Sequence, residues 1–254
     1  MNPYESEKVL SEYLLFHYGV PEEILPYPDG PHAALEYPAR CVSECVARAE
    51  LPEKARALDL GCAVGRASFE LARICVEVIG IDFSGSFIEA ATKLKSAGEV
   101  TYARAEEGAR TTRMLAQVPP GIHRHRVKFE QGDAHDLREG LGTFDVVLMA
   151  NLIDRLHEPV RCLAQLAGLV NPGGQLVITS PYTWMEEYTP RENWLCERRN
   201  GGSGEARQTT LDGLQSVLEE CFVLHGTRDL PFLIREHARK FQWSVAEASM
   251  WRRR

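Results

Sequence analysis

The feature that most constrains this chain is a glycine-rich turn between a short apolar strand and a helix. Residues 57–60 predict the strand, residues 61–65 (Gly-Cys-Ala-Val-Gly) the turn, and residues 67–74 the helix. A second apolar strand over residues 76–81 ends at Asp82. Glycines let the backbone approach a ligand closely, the helix offers unpaired N–H groups, and the acid can accept hydrogen bonds from ribose hydroxyls. The pattern favours a nucleotide-cofactor site over an ordinary βα turn with a surface acid.

Strand and helix patterns continue to alternate toward the C-terminus. Helices are predicted over residues 86–95, 160–169 and 210–220, and strands over residues 127–130, 144–149, 175–179, 222–227 and 241–251. The last strand alternates apolar and polar residues, as antiparallel strands near a sheet edge do. The order predicts an α/β fold, Rossmann-like, with a seven-stranded and mostly parallel sheet covered by helices on both faces.

The chain divides into an N-terminal helical segment and the α/β region. A helix is predicted over residues 5–18, ended by Gly19, and a second over residues 39–49. We therefore expect residues 1–52 to form a helical cap over the crevice at the carboxyl ends of the strands. The remainder, residues 53–254, is expected to be the α/β domain.

Two connections in the α/β region are longer than a minimal fold needs. They cover residues 98–126 and residues 181–208. Connections of this length are commonly functional or disordered. We interpret both as insertions.

Composition and charge exclude several classes of protein. The chain has 254 residues, 44% of them hydrophobic, which is enough for a full core. Its 29 Lys and Arg against 36 Asp and Glu give a net charge of −7, and this negative charge disfavours a nucleic-acid partner. No run approaches the roughly 18 apolar residues of a membrane helix, and the polar N-terminus is unlike a signal peptide. Seven scattered cysteines without a Cys-x-x-Cys pair favour a reduced cytoplasmic compartment and predict no metal site.

The glycine-rich turn identifies which nucleotide is expected. A dinucleotide fingerprint would need glycine at Ala63 and at Arg66, and neither is present. Residues 58–65 instead resemble the first motif of class I S-adenosylmethionine-dependent methyltransferases, although many members have glycine where Ala63 stands. Further segments that resemble the later motifs of this class are residues 131–134, 144–151 and 172–174.

The resemblance implies S-adenosylmethionine as cofactor, with S-adenosylhomocysteine as product. In this class an acid after the third predicted strand lies near the adenine amine, and Asp133 stands there. The residues we assign to the cofactor are Asp59, Gly61, Cys62, Gly65, Asp82, Phe83, Ser84, Asp133, Ala134 and Asn151.

Segments spread over the chain resemble a more particular family, the methyltransferase of ovothiol biosynthesis, which is often the C-terminal domain of ovothiol synthase. They are residues 2–5, 12–19, 37–42, 58–66, 180–194 and 231–243. The resemblance implies an enzyme that methylates the imidazole Nπ of 5-thiohistidine (4-mercaptohistidine) to give ovothiol A. It also implies a separate sulfoxide synthase as functional partner, the chain being either a stand-alone enzyme or an excised domain.

Such an acceptor needs partners for its carboxylate and its ammonium. Arg40 or Arg191 could bind the carboxylate bidentately, and Arg40 could instead hold the cofactor carboxylate. Asp154 or Glu36 could bind the ammonium. These four are our candidates for the polar ends of the substrate.

The acceptor ring needs an orienting group. Tyr37, Tyr182 and Tyr188 are the candidates, and residues 181–194, rich in aromatic and charged side chains, are expected to form a lid over a small polar acceptor. We assign the catalytic position to Tyr182, because it follows the fifth predicted strand at the crevice mouth. His237 is either a base for the ring proton or a packed histidine.

Three other functions remain open. The acceptor could be the selenium analogue, or another small molecule or modified nucleoside. The chain could also be a cofactor-binding subunit without catalysis, although the full set of polar groups at the strand ends argues against that.

Overall fold

The computed structural model describes residues 3–197 and 208–254. Within them the strands are β1 (Arg56–Leu60), β2 (Glu77–Asp82), β3 (Glu99–Glu107), β4 (Arg110–Gln117), β5 (Val127–Gln131), β6 (Phe144–Ala150), β7 (Val170–Ser180), β8 (Phe222–His237) and β9 (Lys240–Arg253). Seven form one sheet in the order β5-β2-β1-β6-β7-β9-β8. The first five in that order are parallel and the last two antiparallel, which confirms the predicted sheet.

Helices cover both faces of this sheet. They are α1 (Glu7–Tyr18), α2 (Pro21–Ile24), α3 (Tyr37–Ser43), α4 (Arg66–Leu71), α5 (Gly85–Ala97), α6 (Pro159–Leu169) and α7 (Thr210–Leu218). Alternate residues of β6 pack into opposite apolar layers. Val146 and Leu148 lie on the side of α1 and α3–α5, and Val147 and Met149 lie on the side of α6 and α7. Because both faces are buried, the central strands read as continuous apolar runs.

The N-terminal helices pack against the sheet. Ser6 caps α1 by accepting a hydrogen bond from the Val9 amide (3.3 Å), and the helix ends at Gly19 as predicted. The Tyr18 hydroxyl donates to the Val64 carbonyl (2.7 Å), which ties the end of α1 to the glycine-rich turn. The second predicted helix is shorter than expected, since α3 ends at Ser43.

The insertion over residues 98–126 contains an antiparallel hairpin, β3–β4, with one register shift between Ala105 and Glu107. Tyr102 and Ala116 are buried in the layer that also holds α1, and Glu106 accepts an ion-paired hydrogen bond from Arg235 on β8 (2.8 Å). The hairpin therefore has a packing role that its weakly alternating sequence did not indicate.

The C-terminal region ends in two long strands. β8 extends to His237, well beyond the predicted end at residue 227, because it pairs with β9 along nearly its whole length. The second insertion is described up to residue 197 and contains two short 3-10 turns, Arg191–Asn193 and Leu195–Glu197. Residues 198–207 lie outside the described residues. No helix in the described part of the chain is long and apolar enough to cross a membrane.

Candidate active site

A cavity of about 470 Å³ lies at the carboxyl ends of β1, β2, β5 and β6. Side chains from α1, α3 and the segment after β7 complete its wall. Most of the residues expected from the sequence line it, namely Tyr37, Asp59, Gly61, Cys62, Asp82, Phe83, Ser84, Asp133, Ala134, Asn151 and Tyr188. The structure thus brings the predicted cofactor residues together, with the exception of Gly65.

Asp82 joins the glycine-rich turn to the loop after β2. Its Oδ2 accepts a hydrogen bond from the Ala63 amide (2.8 Å), and its Oδ1 accepts one from the Ser84 amide (2.9 Å). Burial raises the pKa of this carboxyl above its usual value. A carboxylate has about four acceptor positions, so Asp82 retains acceptor capacity for a ligand hydroxyl.

The turn itself depends on left-handed backbone at Ala63 and Gly65. Ala63 has φ 48° and Gly65 has φ 86°. A Cβ at Gly65 would lie 2.5 Å from Cζ of Phe129, so this position excludes any side chain. Alanine at position 63 costs about 1–2 kcal/mol of backbone strain relative to glycine. The departure from the class motif at Ala63 is therefore tolerated, and Gly65 acts through its shape rather than by lining the cavity.

Asp59 presents an unsatisfied oxygen in the cavity wall. The side chain is 1% exposed, and its Oδ2 accepts a hydrogen bond from Ser68 Oγ (2.5 Å). Its Oδ1 has no hydrogen-bond partner among the described residues. Burial raises the pKa of Asp59 to about 7. A cationic group of a ligand placed here would satisfy the oxygen, so the site fits a ligand that carries an ammonium.

Asp133 is held by its neighbour His135. Its Oδ1 accepts hydrogen bonds from the His135 amide (2.8 Å) and ring Nδ1 (2.7 Å), while His135 Nε2 accepts one from the Glu158 amide (3.1 Å). This arrangement fixes the neutral tautomer with its proton on Nδ1. Burial alone would raise the pKa of Asp133, but the His135 hydrogen bonds outweigh it and lower the pKa.

Tyr37 connects α3 to the ends of β6 and β7. Its hydroxyl lies 2.6 Å from Asn151 Oδ1 and 2.6 Å from Thr179 Oγ1. The amide oxygen can only accept, so the tyrosine donates to Asn151 and accepts from Thr179. Burial raises the pKa of Tyr37 well above its usual value, which keeps the hydroxyl protonated. Asn151 has φ 52°, and its side chain reaches the cavity.

Arg155 lines the cavity and was missed by the sequence analysis. Its Nη1 donates to Asp154 Oδ2 and to the Thr183 carbonyl, each at 2.9 Å, and its guanidinium lies 4.9 Å from the centre of the Tyr188 ring. Asp154 does not line the cavity; it is 1% exposed and also accepts from the Thr183 amide (3.0 Å). The position of Arg155 next to Asp154 was the available signal.

Aromatic side chains from the N-terminal region also line the cavity. The Tyr13 ring lies 6.0 Å from Tyr4 and 4.7 Å from Phe87, measured between ring centres. His17 Nδ1 is buried without a partner among the described residues, and burial lowers the pKa of His17 to about 3, so the ring is neutral. The sequence analysis placed both residues in the first predicted helix and assigned neither of them to the site.

Tyr182 and Arg40 lie outside the cavity lining. The Tyr182 hydroxyl donates to Glu247 Oε2 on β9 (2.8 Å). Arg40 forms an ion pair with Glu44 (2.7 Å) and donates to the Pro231 carbonyl (2.9 Å), so its hydrogen bonds join α3 to β8. Both side chains are used in packing contacts between elements.

The other candidates for the acceptor are also placed elsewhere. Arg191 is exposed, with its guanidinium 5.8 Å from the Trp194 ring centre. Glu36 lines a neighbouring cavity on the other side of the end of α1. His237 Nδ1 accepts from the Arg239 amide (3.2 Å) in the turn between β8 and β9.

The fold and the glycine-rich turn define a Rossmann-like class I methyltransferase. The chain belongs to the methyltransferase domain family, which it matches over residues 32–219. The chain therefore contains a methyltransferase domain.

Individual relatives support this class. Ubiquinone biosynthesis O-methyltransferase of Xanthomonas axonopodis pv. citri (strain 306) is 26% identical over 153 residues, which are 60% of this chain and 54% of that protein. The chain thus spans about half the length of this curated relative. A putative methyltransferase of Bacillus halodurans C-125 superposes with a TM-score of 0.53 at 14% identity, covering 85% of this chain and 97% of its own.

A S-adenosylmethionine-dependent methyltransferase of Methanosarcina mazei superposes with a TM-score of 0.52 at 19% identity, covering 80% of this chain and 94% of its own. At such identities the superpositions establish the fold. A fold of this kind hosts many acceptors, so the acceptor has to be argued from the cavity.

Proposed function

We propose that this enzyme methylates the imidazole Nπ of 5-thiohistidine to give ovothiol A. The observation that carries the proposal is one cavity with acids at its cofactor end and aromatic rings with an arginine at its other end. Its volume of about 470 Å³ is of the size that binds small molecules. The particular acceptor is supported by the family-like segments of the sequence.

The cofactor end suits S-adenosylmethionine. Asp82 would accept from the ribose hydroxyls, Asp59 would take the ammonium, and Asp133 with the exposed ring of Phe83 would bound the adenine. Ser84, Cys62, Gly61, Ala134 and Asn151 would complete the wall. When bound, this cofactor supplies a methyl group on a positively charged sulfur, and the acids of the cavity favour that charge.

The other end would align the acceptor. Methyl transfer is an in-line displacement, so the residues mainly position the attacking nitrogen. The thiolate of the acceptor is the stronger nucleophile, and selectivity for nitrogen must come from geometry. His17 is neutral, and its Nδ1 has no partner within residues 3–197 and 208–254, so it can hydrogen-bond the acceptor ring, while Tyr4 and Tyr13 exclude water.

Three further parts of the proposal concern the setting of the enzyme. Residues 1–52 would act as the cap, because Tyr4, Tyr13, His17 and Tyr37 line the cavity. A cytoplasmic location fits seven cysteines that are all free thiols. A separate sulfoxide synthase would supply the acceptor.

The test is methyl transfer to 5-thiohistidine and to histidine, with the product analysed by mass spectrometry and NMR. We expect Nπ-methyl-5-thiohistidine, and a rate with histidine lower by a factor on the order of a hundred, because groups that bind the sulfur lose their partner. Equal rates on the two acceptors, or methylation at sulfur, would contradict the proposal.

A further inference from the structure

The cavity carries more negative than positive charge. Asp59, Asp82, Asp133 and Glu187 line it, and Arg155 is the one arginine or lysine among the described lining residues. Such a wall suits a cationic cofactor, but it repels the carboxylate of an amino acid. An amino-acid acceptor therefore needs a local cation, and Arg155 is where the wall provides one.

Arg155 is held rigidly from one side. Its Nη1 donates to the carbonyl and carboxylate of Asp154 and to the Thr183 carbonyl, all at 2.9 Å. The Tyr188 ring supports the flat face of the guanidinium at 4.9 Å. Since Asp154 is buried and its carboxylate also accepts from the Thr183 amide, the pair is fixed to both the loop after β6 and the segment after β7.

The guanidinium has N–H groups beyond those on Nη1. The hydrogen bonds to the Asp154 and Thr183 oxygens all come from Nη1, and Nε and Nη2 carry three further N–H groups. On the N-terminal side of the cavity, the Tyr4 side chain also hydrogen-bonds the guanidinium. One hydrogen bond to Tyr4 leaves N–H groups for a ligand, and a planar fork of this kind suits a carboxylate. A bound carboxylate would lie beside Tyr4 at this edge of the guanidinium.

The position of Arg155 favours the acceptor over the cofactor. Asp82 and Asp133, the acids suited to adenosine, lie at the end of β2 and just after β5. Arg155 follows β6 and contacts Thr183 and Tyr188 beyond β7. We infer that Arg155 binds the carboxylate of the amino-acid acceptor, with Asp154 and Tyr188 as positioning residues. This inference rests on the proposed function and names the residue that selects for an amino acid.

The test measures binding to protein saturated with S-adenosylhomocysteine. By calorimetry, 5-thiohistidine is compared with its decarboxylated analogue, 5-thiohistamine. Two charge-assisted hydrogen bonds contribute about 3 kcal/mol, so the parent should bind the acid about a hundredfold more tightly than the amine. In Arg155→Lys, which keeps the charge beside Asp154 but lacks the planar fork, the ratio should fall below about tenfold.

Controls separate this role from others. Arg161→Lys changes an exposed arginine on α6 that pairs with Glu158, and should leave the ratio unchanged. The double variant Arg155→Met with Asp154→Asn removes both charges, so no buried carboxylate is left unpaired, and it should abolish the preference for the acid. Thermal unfolding checks that each variant is folded.

Each alternative result is decisive. An unchanged ratio of the two affinities in Arg155→Lys and in the double variant overturns the inference. So does a loss of S-adenosylhomocysteine affinity as large as the loss of 5-thiohistidine affinity, because it would assign Arg155 to the cofactor carboxylate. A parent that fails to bind 5-thiohistidine overturns the inference together with the proposed function. Binding that depends on Arg155, but without methylation, refutes the proposed function alone.

Discussion

The two ends of the cavity are built in different ways. The half that we propose for the cofactor, called the cofactor half below, consists of residues at or close to strand ends, namely Asp59, Asp82, Phe83 and Asp133. The carboxylates of the three aspartates accept hydrogen bonds from nearby backbone amides or from Ser68 and His135. The half that we propose for the acceptor, called the acceptor half below, is assembled from the N-terminal region and from the segments after β6 and β7. Its residues are Tyr4, Tyr13, His17, Arg155 and Tyr188. In the first half each residue belongs to a short strand-end motif of one sheet, whereas the second half combines side chains from separate helices, turns and loops.

The halves also differ in chemistry. The cofactor half is acidic and uses directed hydrogen bonds, whereas the acceptor half uses ring faces around one guanidinium. We therefore expect substitutions in the cofactor half to act on cofactor affinity, and substitutions in the acceptor half to act on the choice of acceptor.

The largest expected effect breaks the cofactor half. Asp82→Ala should weaken S-adenosylhomocysteine binding about a hundredfold, since two charge-assisted hydrogen bonds to the ribose, worth about 3 kcal/mol together, are lost. Calorimetry gives the dissociation constant. The matched control is Asp229→Ala, an exposed aspartate on β8 outside the cavity, and it should bind normally. An unchanged constant in Asp82→Ala would remove that residue from the cofactor site.

The next effect sharpens the electrostatic side of the comparison. Burial raises the pKa of Asp59 to about 7 in the free protein, yet the carboxylate must be ionised to bind an ammonium. The dissociation constant should therefore fall as pH rises toward 7, by at most about tenfold per pH unit, and level off above it. Asp59→Asn should flatten this dependence. Calorimetry between pH 5.5 and 8.5, roughly centred on that pKa, measures it.

The stability of the free protein should respond in the opposite direction. The folded-state pKa of Asp59, about 7, is above the value of 3.8 expected for the unfolded chain. The folded state then binds more protons between these values, so the contribution of Asp59 to stability is lost as pH rises from 3.8 to 7. Urea unfolding of the parent and of Asp59→Asn isolates this contribution, and the stability of the parent relative to the variant should fall as pH rises over this window. A relative stability that rises instead would mean that Asp59 is not the group responsible.

Much of the fold and of the cofactor half could be predicted from the sequence. Continuous apolar runs predict the buried parallel strands. The groups proposed to bind the cofactor lie in short segments that the sequence shows directly, namely the turn after β1 and Asp82 at the end of β2. Their geometry depends on local backbone, such as the left-handed Gly65.

The acceptor half could not be predicted in the same way. Tyr13 and His17 show the apolar spacing of any packed helix, and only the tertiary fold turns them into the cavity. Arg40 and Arg191 had chemistry equal to that of Arg155. The choice among the three depends on their tertiary contacts. Arg40 bonds to β8, Arg155 bonds to the segment after β7, and Arg191 lies against Trp194 in an exposed turn, and none of these contacts can be predicted from residue type or spacing.

A smaller effect concerns a contact that links the two halves. Glu5 accepts hydrogen bonds from the amides of Gly85 (2.9 Å) and Ser86 (3.3 Å) at the start of α5, next to Tyr4 in the cavity wall. A carboxylate at a helix N-terminus contributes about 0.3–1 kcal/mol. Glu5→Gln should therefore speed S-adenosylhomocysteine dissociation about threefold in stopped-flow measurements. Glu7→Gln, an exposed acid in α1, is the control, and equal rates in both would mean that this contact does not retain the cofactor.

The smallest expected effect is that of Tyr182→Phe. A catalytic Tyr182 would have to reach the acceptor, but the structure places its hydroxyl on Glu247, and burial together with that carboxylate raises its pKa far above the usual value. The hydroxyl therefore stays protonated and joins the segment after β7 to β9. Its loss should lower stability by about 0.5–1.5 kcal/mol while kcat/KM changes less than about twofold. Glu247→Gln tests the same hydrogen bond from its other end and should behave alike. A tenfold fall in kcat in Tyr182→Phe, with kcat unchanged in Glu247→Gln, would instead show that Tyr182 acts in the reaction. The acceptor half would then include the start of the segment after β7.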